Sequence, residues 1–214
     1  MDLRAVLSGV AVAGLVFGLF SGGADWSSRV ILNLVAAEPR RARLFATRGL
    51  LVAAVAAATA LATAVFLIPL LLVTAHFRGT TAEADAHFWT VLAVIVLRGA
   101  LFVGLVALLG YALAMLTRSL TVGFGIALAY LVGAERLVQD YVPSLTESHF
   151  SGIAFAVLNE RLLMLTDKTD CAGEIACAAM RQGTTATHGF LALSVYLLPV
   201  AAAALWRFTR TDIG

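Results

Sequence analysis

The chain has 214 residues, of which 61% are hydrophobic and 13% charged, and its mean hydropathy is +0.93. Soluble domains carry about 25% charged residues. The composition excludes an ordinary soluble domain and predicts an all-α, polytopic membrane protein in which residues 1–214 form a single transmembrane domain. The lone lysine, Lys168, stands between Asp167 and Thr169, so the chain has no P-loop and is not expected to be an ATPase by itself.

Five apolar stretches have the length that a bilayer requires, about 18 residues or more. They cover residues 4–21, 49–75, 88–115, 119–141 and 186–207. The second and third stretches exceed the required length, so we expect them to tilt, kink or project beyond the lipid. Pro69 and Pro199 are the natural kink sites.

Basic residues are distributed unevenly among the segments that join these stretches. The 22–48 loop is rich in arginine, which places it on the cytoplasmic side of the cell membrane. The N-terminus and the 142–185 segment are then extracytoplasmic, and the C-terminus is cytoplasmic. The inner segments hold Arg29, Arg40, Arg41, Arg43, Arg48, Arg118, Arg207 and Arg210, against Asp25, Glu38 and Asp212. Topology explains the arginine cluster, and no nucleic-acid partner is indicated.

The 142–185 segment contains two further features. Cys171 and Cys177 form a close pair outside the cytoplasm, which favours a disulfide over two free thiols. Residues 149–166 carry apolar side chains at helical spacing, and they predict an amphipathic or re-entrant helix at the outer interface, or a helix packed on the ends of the spans. No metal site and no cofactor are expected, because no histidine pair has the spacing of a helical metal motif.

The 22–48 loop contains a short amphipathic helix. Trp26, Val30, Leu34 and Ala37 fall on one helical face, and Pro39 ends the helix. Such a helix either lies on lipid or docks into a groove on a soluble partner. Periodicity by itself favours contact with the lipid bilayer.

The residues that flank this helix carry a family resemblance. Asp25 and Trp26 stand at its start, and Pro39, Arg40 and Arg41 follow it. This order resembles the membrane (permease) subunits of type-2 ABC exporters. The resemblance implies a coupling helix that seats on a cytoplasmic ATP-binding subunit. Its coupling residues would be Asp25, Trp26, Val30, Leu34, Glu38, Pro39, Arg40 and Arg41. Arg29 and Val30 depart from the family's common Gly-Thr.

The resemblance extends over most of the chain. It includes Leu-Arg-Gly at 97–99, Leu-Thr-Arg-Ser at 116–119, Glu135 and the closing residues 206–213. It implies a subunit that pairs with a second membrane subunit, is driven by separate ATPases and performs no chemistry itself. The family has six spans, and the first stretch here aligns with its second. The family's first spanning helix therefore has no counterpart among the five stretches. We expect that it is truly absent, that it is encoded upstream, or that another chain supplies it. The alternative function is a non-transporting membrane scaffold or sensor that recruits a cytoplasmic partner.

Two patterns within the apolar stretches bear on helix packing. Arg98 and Glu135 should reach similar depths on neighbouring spans, where they either lock the two helices as an ion pair or serve a substrate. Small residues recur at four-residue spacing, and they favour close helix contact within the chain or a seam between two membrane subunits. They are Gly14 and Gly18 in the first stretch and Gly125, Ala129 and Gly133 in the fourth.

Overall fold

A computed structural model describes residues 3–27, 40–78, 86–134, 137, 141, 150–159 and 186–210. Within these ranges the elements are helical throughout, which confirms the all-α prediction. The elements are α1 (Leu3–Ser27), α2 (Arg41–Arg78), α3 (Ala86–Thr117), α4 (Leu120–Leu128), a π-helical segment (Ala129–Ala134), α5 (Phe150–Asn159) and α6 (Ala186–Arg210). Both α2 and α6 continue as helices through their prolines, Pro69 and Pro199.

Four helices are long and apolar enough to cross a membrane, as is typical of a membrane protein. The candidate spans are Val6–Trp26, Arg41–Thr74, Ala86–Thr117 and Ala186–Arg210. With 38 residues, α2 is about 57 Å long at 1.5 Å per residue, and it exceeds a hydrocarbon core of roughly 30 Å. The predicted span 119–141 contributes a shorter apolar helix, Leu120–Gly133, within the described residues, so a fifth span stays a prediction.

The segment between α1 and α2 is shorter than the predicted 22–48 loop. Helix α1 continues to Ser27, and α2 begins at Arg41. Helical packing extends this far because Gly23 lies against Leu120 and because Asp25 forms an ion pair with Arg48. Residues 28–39 lie outside the described part of the chain.

Contacts divide the chain into two compact units. The first comprises Met1–Leu128 and Tyr196–Gly214, and the second comprises Ala129–Val195. The candidate spans α1, α2 and α3 all belong to the first unit, whose closest helix contact is that between α1 and α3. The prediction of a single transmembrane domain stays a prediction.

Glycines allow α1 and α3 to approach until their backbones touch. Gly14, Gly18 and Gly22 are buried on one face of α1. A Cβ atom on Gly18 would overlap the backbone carbonyl of Ala107, and one on Gly22 would lie 2.9 Å from the Cβ atom of Ala114. The contact holds in both directions, since a Cβ atom on Gly110 of α3 would overlap the carbonyl of Leu15. The interpretation of Gly14 and Gly18 as internal packing residues is therefore confirmed.

Helix α2 packs on α3 through a stripe of small residues. Val52, Ala56, Ala60 and Ala64 are buried at four-residue spacing. Across the contact, a Cβ atom on Gly104 would lie 3.0 Å from the carbonyl oxygen of Ala53. Many large apolar side chains of α2 are exposed instead, among them Leu50, Leu51, Val65, Phe66, Leu70 and Phe77. Small residues at the contact and large ones outside are typical of helices packed in lipid.

In the second unit, α5 packs on the start of α6. Ile153, Val157 and Leu158 are buried, and a Cβ atom on Gly189 would lie 2.8 Å from Cγ2 of Val157. These apolar side chains are buried. Residues 149 and 160–166 lie outside the described ranges, so both alternatives for residues 149–166 stay predictions.

We expect Gly18→Ala to destabilise the protein by about 1–3 kcal/mol, because the added methyl must displace the α3 backbone. Gly9 is the matched control, since it lies on the same helix and an added Cβ atom meets nothing within 4 Å. Thermal unfolding in detergent should show a lower midpoint for Gly18→Ala and an unchanged or higher midpoint for Gly9→Ala. Equal midpoints for the two variants would contradict the close contact between α1 and α3.

Candidate functional site

The first unit gathers polar and aromatic side chains at one end, where α1, α3 and α6 end and α2 begins. We call this group the Trp26 cluster. It consists of Asp25, Trp26, Phe45, Arg48, Tyr111, Arg118, Arg207 and Phe208. Four helices thus contribute side chains to one site, together with the turn between α3 and α4.

Aromatic contacts form the interior of the Trp26 cluster. The fully buried ring of Phe208 lies 6.5 Å from the Trp26 ring, edge to face, and 6.3 Å from the Phe45 ring. The centroids of Phe45 and Tyr111 are 5.5 Å apart. Centroid separations of this size are those of favourable aromatic pairs, each worth about 0.5–1.5 kcal/mol beyond burial. The contacts connect all four helices.

One ion pair joins the end of α1 to the start of α2. Arg48 donates through Nη1 to a carboxylate oxygen of Asp25, and both side chains are partly buried. Asp25 is the single carboxylate within the described residues, and it is occupied by this contact. The pair therefore joins the last turn of α1 to the first turns of α2.

The turn between α3 and α4 places Arg118 in a strained backbone conformation. Its φ of 56° lies in the left-handed region, which side chains other than glycine rarely adopt. The turn is held by Arg118 N–H donating to the carbonyl of Ala114 at 2.8 Å and by the Thr117 hydroxyl donating to the carbonyl of Ser119 at 3.0 Å. Ser119 Oγ then accepts from the Val122 N–H at 3.4 Å and caps α4.

The Arg118 side chain turns back onto α1. Its Cζ lies 4.7 Å from the centroid of the Trp26 ring, a cation–π distance. Nearby, Arg207 Nη1 donates to the carbonyl of Leu116 at 2.6 Å. Burial, and after it the positive charge of Arg207, lower the pKa of Arg118 from its usual value. Arg118 and Arg207, which carry like charges, therefore lie close enough to interact.

Four buried polar atoms of the Trp26 cluster have no hydrogen-bond partner among the described residues. They are Nε and Nη2 of Arg118, Nε1 of Trp26 and the hydroxyl oxygen of Tyr111. A buried donor without an acceptor costs about 1–3 kcal/mol, more if it is charged. This concentration of unsatisfied donors distinguishes the Trp26 cluster chemically from the rest of the described chain. No group of three potential metal ligands occurs within the described residues.

The predicted coupling residues fall in three places: the end of α1, the start of α2, and the segment between them that lies outside the described residues. Asp25 and Trp26 lie in the last two turns of α1 and pack within their own unit. Arg40 directly precedes α2, and Arg41 is its first residue. Val30, Leu34, Glu38 and Pro39 lie outside the described residues.

Only some residues of the other predicted sites lie in the described part of the chain. Arg98 is half-buried in α3 and makes interactions of its own, whereas Glu135 lies outside the described residues, so their pairing stays a prediction. Cys171 and Cys177 also lie outside. Gly125 and Gly133 are described, and an added Cβ atom meets nothing within 4 Å at either of them.

Sequence reasoning did not predict the roles of Phe45, Tyr111, Arg118 and Phe208. The one available signal was Arg118, a charge in a short turn between two apolar stretches. Its stacking on Trp26 depends on the left-handed backbone at residue 118, which a non-glycine sequence does not announce. The aromatic contacts join residues of α1, α2, α3 and α6 that are far apart in sequence, so no local spacing reveals them.

We expect Arg118→Gly to be more stable than Arg118→Ala by about 1 kcal/mol, because only glycine adopts a positive φ without strain. Both variants lose the same side-chain contacts, so the difference isolates the backbone. Val122 is the matched control, since it is exposed in the adjoining α4. There the order should reverse, with Val122→Ala more stable than Val122→Gly. Thermal unfolding midpoints check both orders, and an Arg118→Ala midpoint at or above that of Arg118→Gly would contradict the strained turn.

Comparisons with protein-family models, with curated proteins and with solved structures return no match to this chain.

Proposed function

We propose that the chain is the membrane-spanning permease subunit of an ABC exporter. It would form the substrate pathway together with a second membrane subunit, and separate cytoplasmic ATP-binding subunits would drive it. The proposal includes five spans, a cytoplasmic coupling helix within residues 25–38 and alternating access as the mechanism. The chain itself would bind the ATPase and transmit its movement.

The proposal rests on how the two helices that flank the coupling segment are held together. Residues 28–39 connect Ser27 at the end of α1 to Arg40 at the start of α2. The Asp25–Arg48 ion pair holds these two helices together beside the segment. A partner that moves the segment would therefore move α1 and α2 as one body. Because α1 contacts α3 backbone to backbone, the movement would pass directly into α3 as well.

The charge distribution supports the proposed orientation. The Trp26 cluster contains three arginines, and four more lie at the start of α2 or the end of α6: Arg40, Arg41, Arg43 and Arg210. Arginine-rich ends of spanning helices face the cytoplasm. This end would then meet the ATPase, with the N-terminus outside the cell membrane and the C-terminus in the cytoplasm.

Val30 and Leu34 provide the sharper test of coupling. Truncating Trp26 would also remove its contacts with Phe208 and Arg118. Loss of function in that variant could therefore come either from a disturbed fold or from weaker docking. We expect Val30→Ala/Leu34→Ala to weaken ATPase binding by on the order of 2 kcal/mol, or about thirtyfold, if these side chains are the anchors. Co-purification with the cognate ATPase and substrate-stimulated hydrolysis in reconstituted vesicles measure the effect.

Ser28→Ala is the matched control for this experiment, because helical spacing puts Ser28 opposite the apolar face of the same segment. It should leave co-purification and hydrolysis near wild-type values. A double variant that expresses normally, with neither measure changed, would contradict the exporter proposal. Normal recruitment of a cytoplasmic partner without any transport would instead favour the scaffold or sensor alternative.

We expect an engineered cysteine at Ser28 to react with an impermeant maleimide only after the cells are permeabilised, because the arginine-bearing end faces the cytoplasm. The background carries Cys171→Ser and Cys177→Ser to remove the native thiols. A cysteine at Ala82, on the opposite side in the proposed topology, is the control and should react in intact cells. Labelling of the Ser28 variant in intact cells would reverse the orientation.

A further inference from the structure

We propose that the Arg118–Trp26 corner of the Trp26 cluster binds a phosphate oxyanion, which in the membrane is the phosphodiester of an anionic lipid headgroup. This binding site is independent of the proposed transport function. It rests on unsatisfied donors, on the local charge and on the position of the turn relative to the spans.

The unsatisfied donors of Arg118 lie on one edge of its guanidinium. Nε and Nη2 form the side-on edge of the group, and both are buried without an acceptor among the described residues. The face of the same group stacks on Trp26, so the edge is held in a fixed direction. Two parallel N–H groups on a rigid edge match two oxygens of a phosphate or carboxylate. Trp26 adds a further buried donor, Nε1.

The local charge also favours the binding of an anion. Asp25 is the one carboxylate in the described part of the chain, and it accepts from Arg48. Burial, and after it the positive charge of Arg207, lower the pKa of Arg118. A bound anion would supply the acceptor that the Arg118 donors lack among the described residues.

The position of the turn selects phosphate as the anion. Arg118 follows the candidate span Ala86–Thr117 directly and precedes the apolar helix Leu120–Gly133. A residue between two such helices lies at the boundary of the hydrocarbon, where lipid headgroups carry their phosphates. Arginine recognises phosphate through the same side-on fork that is unsatisfied here.

Native mass spectrometry of the full chain tests the proposal, with phosphatidylglycerol or phosphatidylcholine added to the detergent. The wild type should retain phosphatidylglycerol preferentially. Arg118→Gly should weaken that retention by about tenfold, because it removes charge-assisted hydrogen bonds. This variant suits the positive φ of the turn, and an unfolding midpoint in phosphatidylcholine at or above that of Arg118→Ala would show that the turn persists.

Arg210→Ala is the matched control, because Arg210 also stacks on a tryptophan, with its Cζ 5.2 Å from the Trp206 ring centroid. It removes the same charge from the same end of the unit and should leave retention within about twofold, well below the effect of a charge-assisted hydrogen bond. Equal losses in the two arginine variants would show general charge attraction and would overturn the site. Equal retention by the wild type and Arg118→Gly would overturn it as well.

A second measurement separates the two sources of phosphate and does not depend on any variant. The wild-type unfolding midpoint is followed with inorganic phosphate against chloride at matched ionic strength, and with phosphatidylglycerol against phosphatidylcholine. A rise with phosphatidylglycerol alone supports a lipid headgroup as the ligand, and a rise with both supports a phosphate site open to the free ion. No rise with either would overturn the proposal and would point to a carboxylate from a protein as the acceptor.

Discussion

The close contact between α1 and α3 is the constraint on which the rest of the first unit depends. Wherever a glycine of one helix meets a carbonyl of the other, the two backbones touch without intervening side chains. Close approach of this kind increases van der Waals contact, which is the main attraction available between helices that are already surrounded by apolar lipid. The contact also fixes the register of the two helices, because a shift by one residue would place Leu19 or Leu15 where a glycine is required.

The register of α1 against α3 determines which side chains meet at the end of the unit. Gly22 lies against α3, and Trp26 follows one helical turn later on the same side of α1, where it reaches Arg118 just beyond the end of α3. The Asp25–Arg48 pair adds α2 to this assembly, and Phe208 adds α6. Polar and aromatic contacts between the four helices thus meet at this end of the unit.

This arrangement bears on both proposals. In the exporter proposal, a push from a soluble partner would reach both α1 and α2, because the Asp25–Arg48 ion pair and the aromatic contacts join these helices. The unsatisfied edge of Arg118 lies in the same cluster. An anion bound there would stiffen the turn between α3 and α4, so lipid composition would act on the end of the protein that the partner is proposed to contact.

Sequence by itself determined the helical class, the membrane character and the presence of four long apolar helices, with bounds that differ from the observed ones by up to eight residues, at the start of α2. It did so because hydrophobic length is a local property that the bilayer imposes on each helix separately. It also identified Gly14 and Gly18 as packing residues, because small side chains at four-residue spacing occupy one helical face. Tertiary structure alone decided which helix those glycines meet. It also placed Trp26 within its own unit, paired Asp25 with Arg48 and left the Arg118 edge without an acceptor among the described residues. These outcomes depend on the relative register of helices separated by tens of residues, and no local pattern in the sequence encodes that register.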